Sequence, residues 1–228
     1  MTRESDNPTL TKPKRTRKKA PAPRRESTKR NRPATEQLLI DTCERLLVRD
    51  GPDGIGVNSV VEEAGVGKEL IYRYFGGLPG LVKAWIERSA NWPTAEELIG
   101  GDISAFAELS VKEQFRLVQH NYIAALRERP VITRIMASEL MHPSEITVIL
   151  EDASDRIARE LTEIFREIST DHQEDLVSLA LVFYCMTNYL CMREVSSPNC
   201  FGMDLTKNAS WKRVAKVTDM LVDRFLDE

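Results

Sequence analysis

The chain has 228 residues, 42% of them hydrophobic, which fits a globular protein made of a small unit plus one larger helical domain. Its net charge of −3 hides an asymmetry: residues 1–32 hold 12 Lys or Arg against Glu4, Asp6 and Glu26, net +9, so the remaining 196 carry −12. The four cysteines have no C-x-x-C spacing and the three histidines pair with none of them, which argues against a metal site or a disulfide framework and for reduced thiols in the cytoplasm.

Residues 1–32 are rich in Pro, Lys, Arg and Thr and nearly free of large apolar residues. Such a segment buries too little surface to offset its ordering entropy, so it is expected to be a disordered basic arm directed at a polyanion. Its start, Met-Thr-Arg-Glu-Ser-Asp, has no apolar run behind it and does not read as a signal peptide. From Thr35 the pattern is helical: Leu39, Cys43, Leu46 and Leu47 share one face, and Asp50-Gly51-Pro52 stops it. A loop through Gly56 leads to a short helix with Val57, Val60, Val61 and Ala64 apolar. Gly65 permits a tight turn, and a second short helix runs from Lys68 to about Phe75, where Gly76-Gly77 ends it.

Further helices are expected at about 78–92, stopped by Pro93; at 111–128 after a loop containing Gly100-Gly101; at 130–141, broken by His142-Pro143; and at 144–168. The segment 176–192 is apolar nearly all round, and a last helix carries Trp211, Val214, Val217, Leu221 and Phe225. No strand signal of any length is present, so the expected fold class is all-α. It divides into the arm 1–32, a helix-turn-helix domain 33–78 and a helical domain 79–228.

Two short helices separated by three residues form a helix-turn-helix, whose second helix enters the DNA major groove while the first crosses the backbone. In that geometry Lys68, Glu69 and Arg73 point at the DNA, while Ile71 and Phe75 pack back on Val61 and the first helix. Lysine and arginine suit the O6 and N7 acceptors of guanine, and a glutamate can accept from cytosine N4. Tyr72 and Tyr74 offer hydroxyls to phosphates. Bland readings stand beside these. Glu69 in a first helical turn also favours the helix dipole, Tyr74 can be packing, Arg73 a solvated charge, and the arm a solubilising tail.

The run Val57 to Phe75, with Ala64-Gly65-Val66 followed by Ile71-Tyr72 and Phe75, resembles the DNA-binding signature of the TetR family of bacterial transcription regulators. The likeness covers residues 35–85. It implies a dimeric regulator, usually a repressor, that binds double-stranded DNA and is released by a small molecule held in the C-terminal domain; it also adds Asn58 and Gly67 to the DNA-contacting set. Three positions depart from the family's usual pattern. Gly56 and Gly67 stand where hydroxyl residues often cap helices, and Leu78 stands where a phosphate-contacting lysine is usual. These losses bear on backbone anchoring more than on fold.

The resemblance also implies that the last two long helices, mapped to 172–194 and about 208–226, form a four-helix dimer interface. That accounts for the all-round apolarity of 176–192, which contains Ser178 and Asn188, closes on Arg193-Glu194 and falls short of the ~20 apolar residues of a membrane span. An effector pocket is expected among helices 78–92, 111–128, 131–141 and 172–194. Trp85, Tyr122, Met136, Phe183 and Met186 are its candidate walls, with Gln119, Glu139 and Asn188 as polar anchors, core packing being the alternative for each. No cofactor is expected. An all-helical enzyme is disfavoured by the lack of a nucleophile–base pair, a phosphate-cradling glycine loop or metal spacing. An architectural DNA-binding protein relying on the basic arm, without ligand control, is the alternative function.

Overall fold

The computed structural model describes residues 32–88, 91–168 and 173–226, so all of the expected basic arm but Arg32 lies outside the described residues. Among the described residues the chain forms eleven α-helices and one two-stranded hairpin. The first four helices are α1 (Arg32–Asp50), α2 (Val57–Ala64), α3 (Lys68–Phe75) and α4 (Leu78–Arg88), with a 3-10 turn at Pro52–Gly54 between α1 and α2. Leu39, Ile40, Cys43, Leu46 and Leu47 recur at helical spacing and form the buried face of α1. Against them lie Val60 of α2 and Ile71 of α3, both with no exposed surface. Thr42 is buried as well; its hydroxyl donates to the Leu38 carbonyl and accepts from Arg45.

The turn between α2 and α3 depends on Gly65, which sits at φ 66°, ψ 30°, in the left-handed region open to glycine without steric cost. Its N–H and that of Val66 both donate to the Val61 carbonyl, closing the end of α2. Gly80 is needed for a different reason. A Cβ there would collide with the Phe75 carbonyl oxygen, so α4 crosses the end of α3 at a distance that only glycine allows.

Two short helices follow, α5 (Ala95–Leu98) and α6 (Ile103–Ala107), where the sequence reads as one loop. Four or five residues are too few to display a helical period, but both begin with capping side chains. Thr94 Oγ1 accepts from the Glu97 N–H, and Asp102 accepts from the N–H groups of Ser104 and Ala105. The helix expected over 78–92 is described only to Arg88. Trp92, which precedes Pro93 and is therefore steered away from helical backbone, lies outside it and turns its ring into the core.

The longer helices are α7 (Val111–Arg127), α8 (Pro130–Met141), α9 (Glu145–Ile168), α10 (Gln173–Ser196) and α11 (Asn208–Phe225). Ser110 and Glu113 exchange hydrogen bonds across the first turn of α7, a reciprocal capping box. α10 continues past Met192 because Arg193 and Glu194 are good helix formers, and Glu194 is anchored by Arg127 at 3.0 Å. Between α10 and α11 stands a hairpin, β1 (Asn199–Cys200) paired antiparallel with β2 (Met203–Asp204). It departs from the expectation of no strands, because two residues per strand are too few to show alternation.

α10 packs on α7 and α8, α11 on α7, and α9 on α4, α5 and α8. The main core runs from α1 through Leu81, Val82, Trp85 and Ile86 of α4 to Ile132 and Ile135 of α8, Leu150 and Ile157 of α9 and Trp211 of α11. A second cluster joins Phe115, Leu176, Leu179, Phe183 and Val222. Burial pushes the thiols of Cys43 and Cys191 up to about 12, so both stay protonated at neutral pH, and all four cysteines are free. The close crossing at Gly80 gives a direct check. Gly80→Ala is expected to destabilise the protein by about 1–3 kcal/mol, the usual cost of overpacking, in chemical denaturation. An unchanged midpoint would mean that α3 and α4 do not meet there.

Candidate nucleic-acid interface and the interior of the helical domain

α3 divides cleanly by exposure. Ile71 is fully buried and Leu70, Tyr74 and Phe75 are partly so, whereas Lys68, Glu69, Tyr72 and Arg73 face solvent. Ile71 and Phe75 pack into the same cluster as Val61, as the helical spacing predicts. The outward side chains are not loose. Arg73 lies over the Tyr74 ring, 4.9 Å from its centroid, and donates to the Tyr74 hydroxyl at 3.0 Å. Lys68 stands 5.9 Å from the centroid of the Tyr72 ring. Both cations are therefore held beside aromatic rings on one outward strip.

The N-terminus of α3 has no side-chain cap, because Gly67 supplies none. The Glu69 carboxylate folds back into the space a Cβ on Gly67 would fill. That places negative charge at the positive end of the helix dipole, the bland role open to this residue. At α2 the missing hydroxyl on Gly56 is partly replaced. Ser59 Oγ accepts from the Gly56 N–H at 2.9 Å, half of a capping box. Asn58 is exposed in the first turn of α2. Leu78 is half-buried against the main core, so this position serves packing where a lysine would reach outward.

α2 is locked to α1 by charge. Arg45 and Arg49 both reach Glu63, at 3.2 and 2.9 Å, and Arg88 of α4 lies 3.8 Å from Glu36 of α1. These are partly exposed pairs, worth little each, but they hold the unit in register. A further tie crosses to the larger half. Ser138 of α8 donates to Asp53 in the 3-10 turn, at 3.2 Å. The sequence offered no sign of it, since the partners stand 85 residues apart.

Inside the helical domain, Trp85, Gln119, Tyr122, Glu139, Phe183 and Asn188 are all buried, and Met136 and Met186 half-buried. Trp85, Tyr122 and Met136 share the main core, whereas Phe183 and Met186 belong to the second cluster with Phe115. Two hydrogen bonds join α7 to α10: Gln119 Nε2 donates to Thr187 Oγ1 at 2.9 Å, and Tyr122 Oη donates to Asn188 Oδ1 at 2.7 Å. Burial raises the Tyr122 pKa well above the usual phenol value, which keeps that hydroxyl a donor. Tyr184 stacks on Tyr122 with centroids 6.0 Å apart. The Trp85 indole N–H is buried without a hydrogen-bond partner. Glu139 stands apart from these groups: its carboxylate accepts from Ser144 N–H, Ser144 Oγ and Thr147 Oγ1, holding the start of α9. Thr187, which pairs with Gln119, does not stand out in the sequence; an isolated Thr in an apolar helix gives no signal of a partner on α7. A small cleft of about 60 Å³ lies between α4 and α9, lined by Lys83, Ile86, Glu87, Ile149, Asp152, Ala153 and Arg156.

Residues 39–84 match the family model described as bacterial regulatory proteins, tetR family. Two HTH-type transcriptional regulators of Mycobacterium tuberculosis, from strains CDC 1551 / Oshkosh and H37Rv, are each 29% identical over 99 residues, covering 42% of this chain. The chain spans about half the length of these curated relatives, 48%. Among solved structures the fold is similar to a TetR-family transcriptional regulator from Mesorhizobium loti, at TM-score 0.59 and 15% identity over 89% of this chain and 98% of that one. It is also similar to the fatty acid degradation regulator FadR from Bacillus halodurans, at TM-score 0.55 and 14% identity over 82% and 94%. A TetR-like regulator from Rhodococcus sp. RHA1 gives TM-score 0.53 and 17% identity over 85% and 96%. At these identities the likeness concerns the fold.

Proposed function

Because the chain belongs to the TetR family of bacterial regulatory proteins, and is a DNA-binding transcriptional regulator with a helix-turn-helix, we propose that it is a cytoplasmic repressor acting as a homodimer on a palindromic operator and released by a small-molecule effector. Its working division is a DNA-reading unit over 33–78 and an effector-binding and dimerising unit over 79–228, with the basic arm 1–32 in front. The observation that best supports the DNA role is the outward strip of α3, where Lys68 and Arg73 stand exposed above a buried Ile71. Arg73 and Lys68 read base edges, Tyr72 and Tyr74 position the helix on phosphates, and Asn58, Gly67 and Glu69 border the contact.

A second copy is the natural cover for the outer faces of α10 and α11. Leu181 and Val182 are each 60% exposed and Met220 is 60% exposed, with Val177, Tyr189, Val217, Leu221 and Phe225 beside them. A continuous apolar surface of this kind marks an interaction site. The stretch Leu176–Ser196 is long and apolar enough to cross a membrane by composition alone. Its buried Thr187 and Asn188, both hydrogen-bonded to α7, favour a helix packed in protein. An isologous two-fold contact through α10 and α11 also gives the DNA-reading units the symmetry of a palindrome.

For the effector, the reading rests on the buried polar groups between α4, α7 and α10. Trp85, Tyr122 and Met136 border them, with Gln119 and Asn188 as anchors; Phe183 and Met186 lie deeper and Glu139 nearer α9. An effector seated there trades the Gln119–Thr187 and Tyr122–Asn188 bonds for its own and supplies a partner for the Trp85 N–H. Release follows if it prefers the conformation that does not fit DNA, through α4, which belongs to both halves.

Paired titrations on an operator and on random duplex test the DNA role. Arg73→Ala is expected to weaken operator binding by about 1–3 kcal/mol, with a much smaller effect on random DNA. Equal loss on both would reassign Arg73 to a phosphate. Deleting residues 1–32, which carry net +9, should weaken both complexes and flatten the salt dependence by about 0.9 in log–log slope for each phosphate left unneutralised. An unchanged slope would make the arm a bystander, and loss of all sequence preference would favour the architectural alternative.

A further inference from the structure

The hairpin between α10 and α11 carries a feature that the DNA and effector readings leave unused. Its register, Asn199 opposite Asp204 and Cys200 opposite Met203, leaves Phe201 and Gly202 as a two-residue turn. Both have positive φ, 48° and 75°. A turn of that shape favours Asn-Gly or Asp-Gly, and a bulky aromatic in the left-handed region is a strained choice. Among the described residues Phe201 is the one non-glycine with positive φ. It is also fully exposed, at 101%, so the strain is offset by no packing within the subunit.

The stalk beneath the ring is firmly built. Arg193 donates to the carbonyls of Ser197 and Asn199 at 2.9 and 2.8 Å. The Leu205 N–H donates to the Pro198 carbonyl at 2.9 Å, and Trp211 Nε1 donates to the carbonyl of the fully buried Leu205 at 2.7 Å. Ser210 Oγ ties the Asp204 carbonyl at 2.7 Å. An aromatic ring held out on an ordered base binds with little further entropy loss.

The position of the stalk identifies what the ring meets. It is the covalent bridge between α10 and α11, and the exposed apolar rows of those helices, including Leu181, Val182, Met220 and Leu221, run back from it. We propose that Phe201 is a dimer clasp, whose ring leaves water against the α10–α11 surface of a second copy of this chain, twice per dimer by symmetry. The proposal rests on the α10–α11 dimer reading and adds to it a residue outside both helices.

The test is the dimer dissociation constant of the full chain, from sedimentation over a dilution series, with circular dichroism as a check on folding. Phe201→Asn suits the left-handed turn and relieves its strain, so helix content should hold while the dissociation constant rises about tenfold, as expected when two aromatic rings are withdrawn from the interface. Phe201→Trp should keep the wild-type constant. Leu181→Lys, in the centre of the apolar face, reports on the dimer reading itself. A Phe201→Asn dimer as tight as wild type, beside a dissociated Leu181→Lys, would overturn the clasp and leave the interface standing. A Leu181→Lys dimer as tight as wild type would overturn the interface, and the clasp with it.

Discussion

On α4, the side chains of Leu81, Val82, Trp85 and Ile86 are buried in one row, and the packing of both halves of the molecule converges on them. On one side they meet α1 and α3, through a crossing so close that Gly80 admits no side chain. On the other they meet α9, within the core that also holds Tyr122 of α7 and Ile135 of α8. Interiors packed this densely transmit a displacement instead of absorbing it. The tilt of α3 toward DNA is thus tied mechanically to the arrangement of the helices around Tyr122 and Asn188. The Ser138–Asp53 hydrogen bond adds a second, weaker link from α8 to the turn ahead of α2.

Electrostatics pull the other way. The body beyond residue 32 carries a net −12 and would repel a polyanion at long range. Locally, the clamp of Arg45 and Arg49 on Glu63 uses two cations for internal ion pairs on the α1–α2 side. Lys68 and Arg73 are left as the cations displayed on α3, each steadied by a neighbouring tyrosine. With Leu78 turned to packing and no hydroxyl at Gly56 or Gly67, phosphate anchoring from the folded unit is thin. The basic arm is the reservoir of charge that complements it.

Much of the DNA-reading unit was legible in the sequence, because its signals are local: a 3.6-residue apolar period on α1, and glycines at Gly65 and Gly76 where the backbone turns left-handed. The extra helices at 95–98 and 103–107 were hidden by their brevity, although Thr94 and Asp102 announce their caps. Phe201-Gly202 concealed the hairpin, since an aromatic is not the residue such a turn favours. The interior of the helical domain was legible only as a set of residue types. That Gln119 finds Thr187, and Tyr122 finds Asn188, is decided by the crossing of α7 and α10, and no local pattern encodes a pairing 66 or 68 residues distant. Glu139 shows the same limit: its local partners Ser144 and Thr147 were in plain view, yet a buried carboxylate reads equally as a ligand anchor or as a helix cap.

The central claim is that a symmetric pair of α3 helices reads a defined DNA sequence. Selection of bound duplexes from a random pool by the full chain tests it most directly. The account predicts convergence on an inverted repeat whose two half-sites are related by the dimer's two-fold axis. A pool that stays random after repeated selection, or converges on a single unpaired half-site, would contradict it.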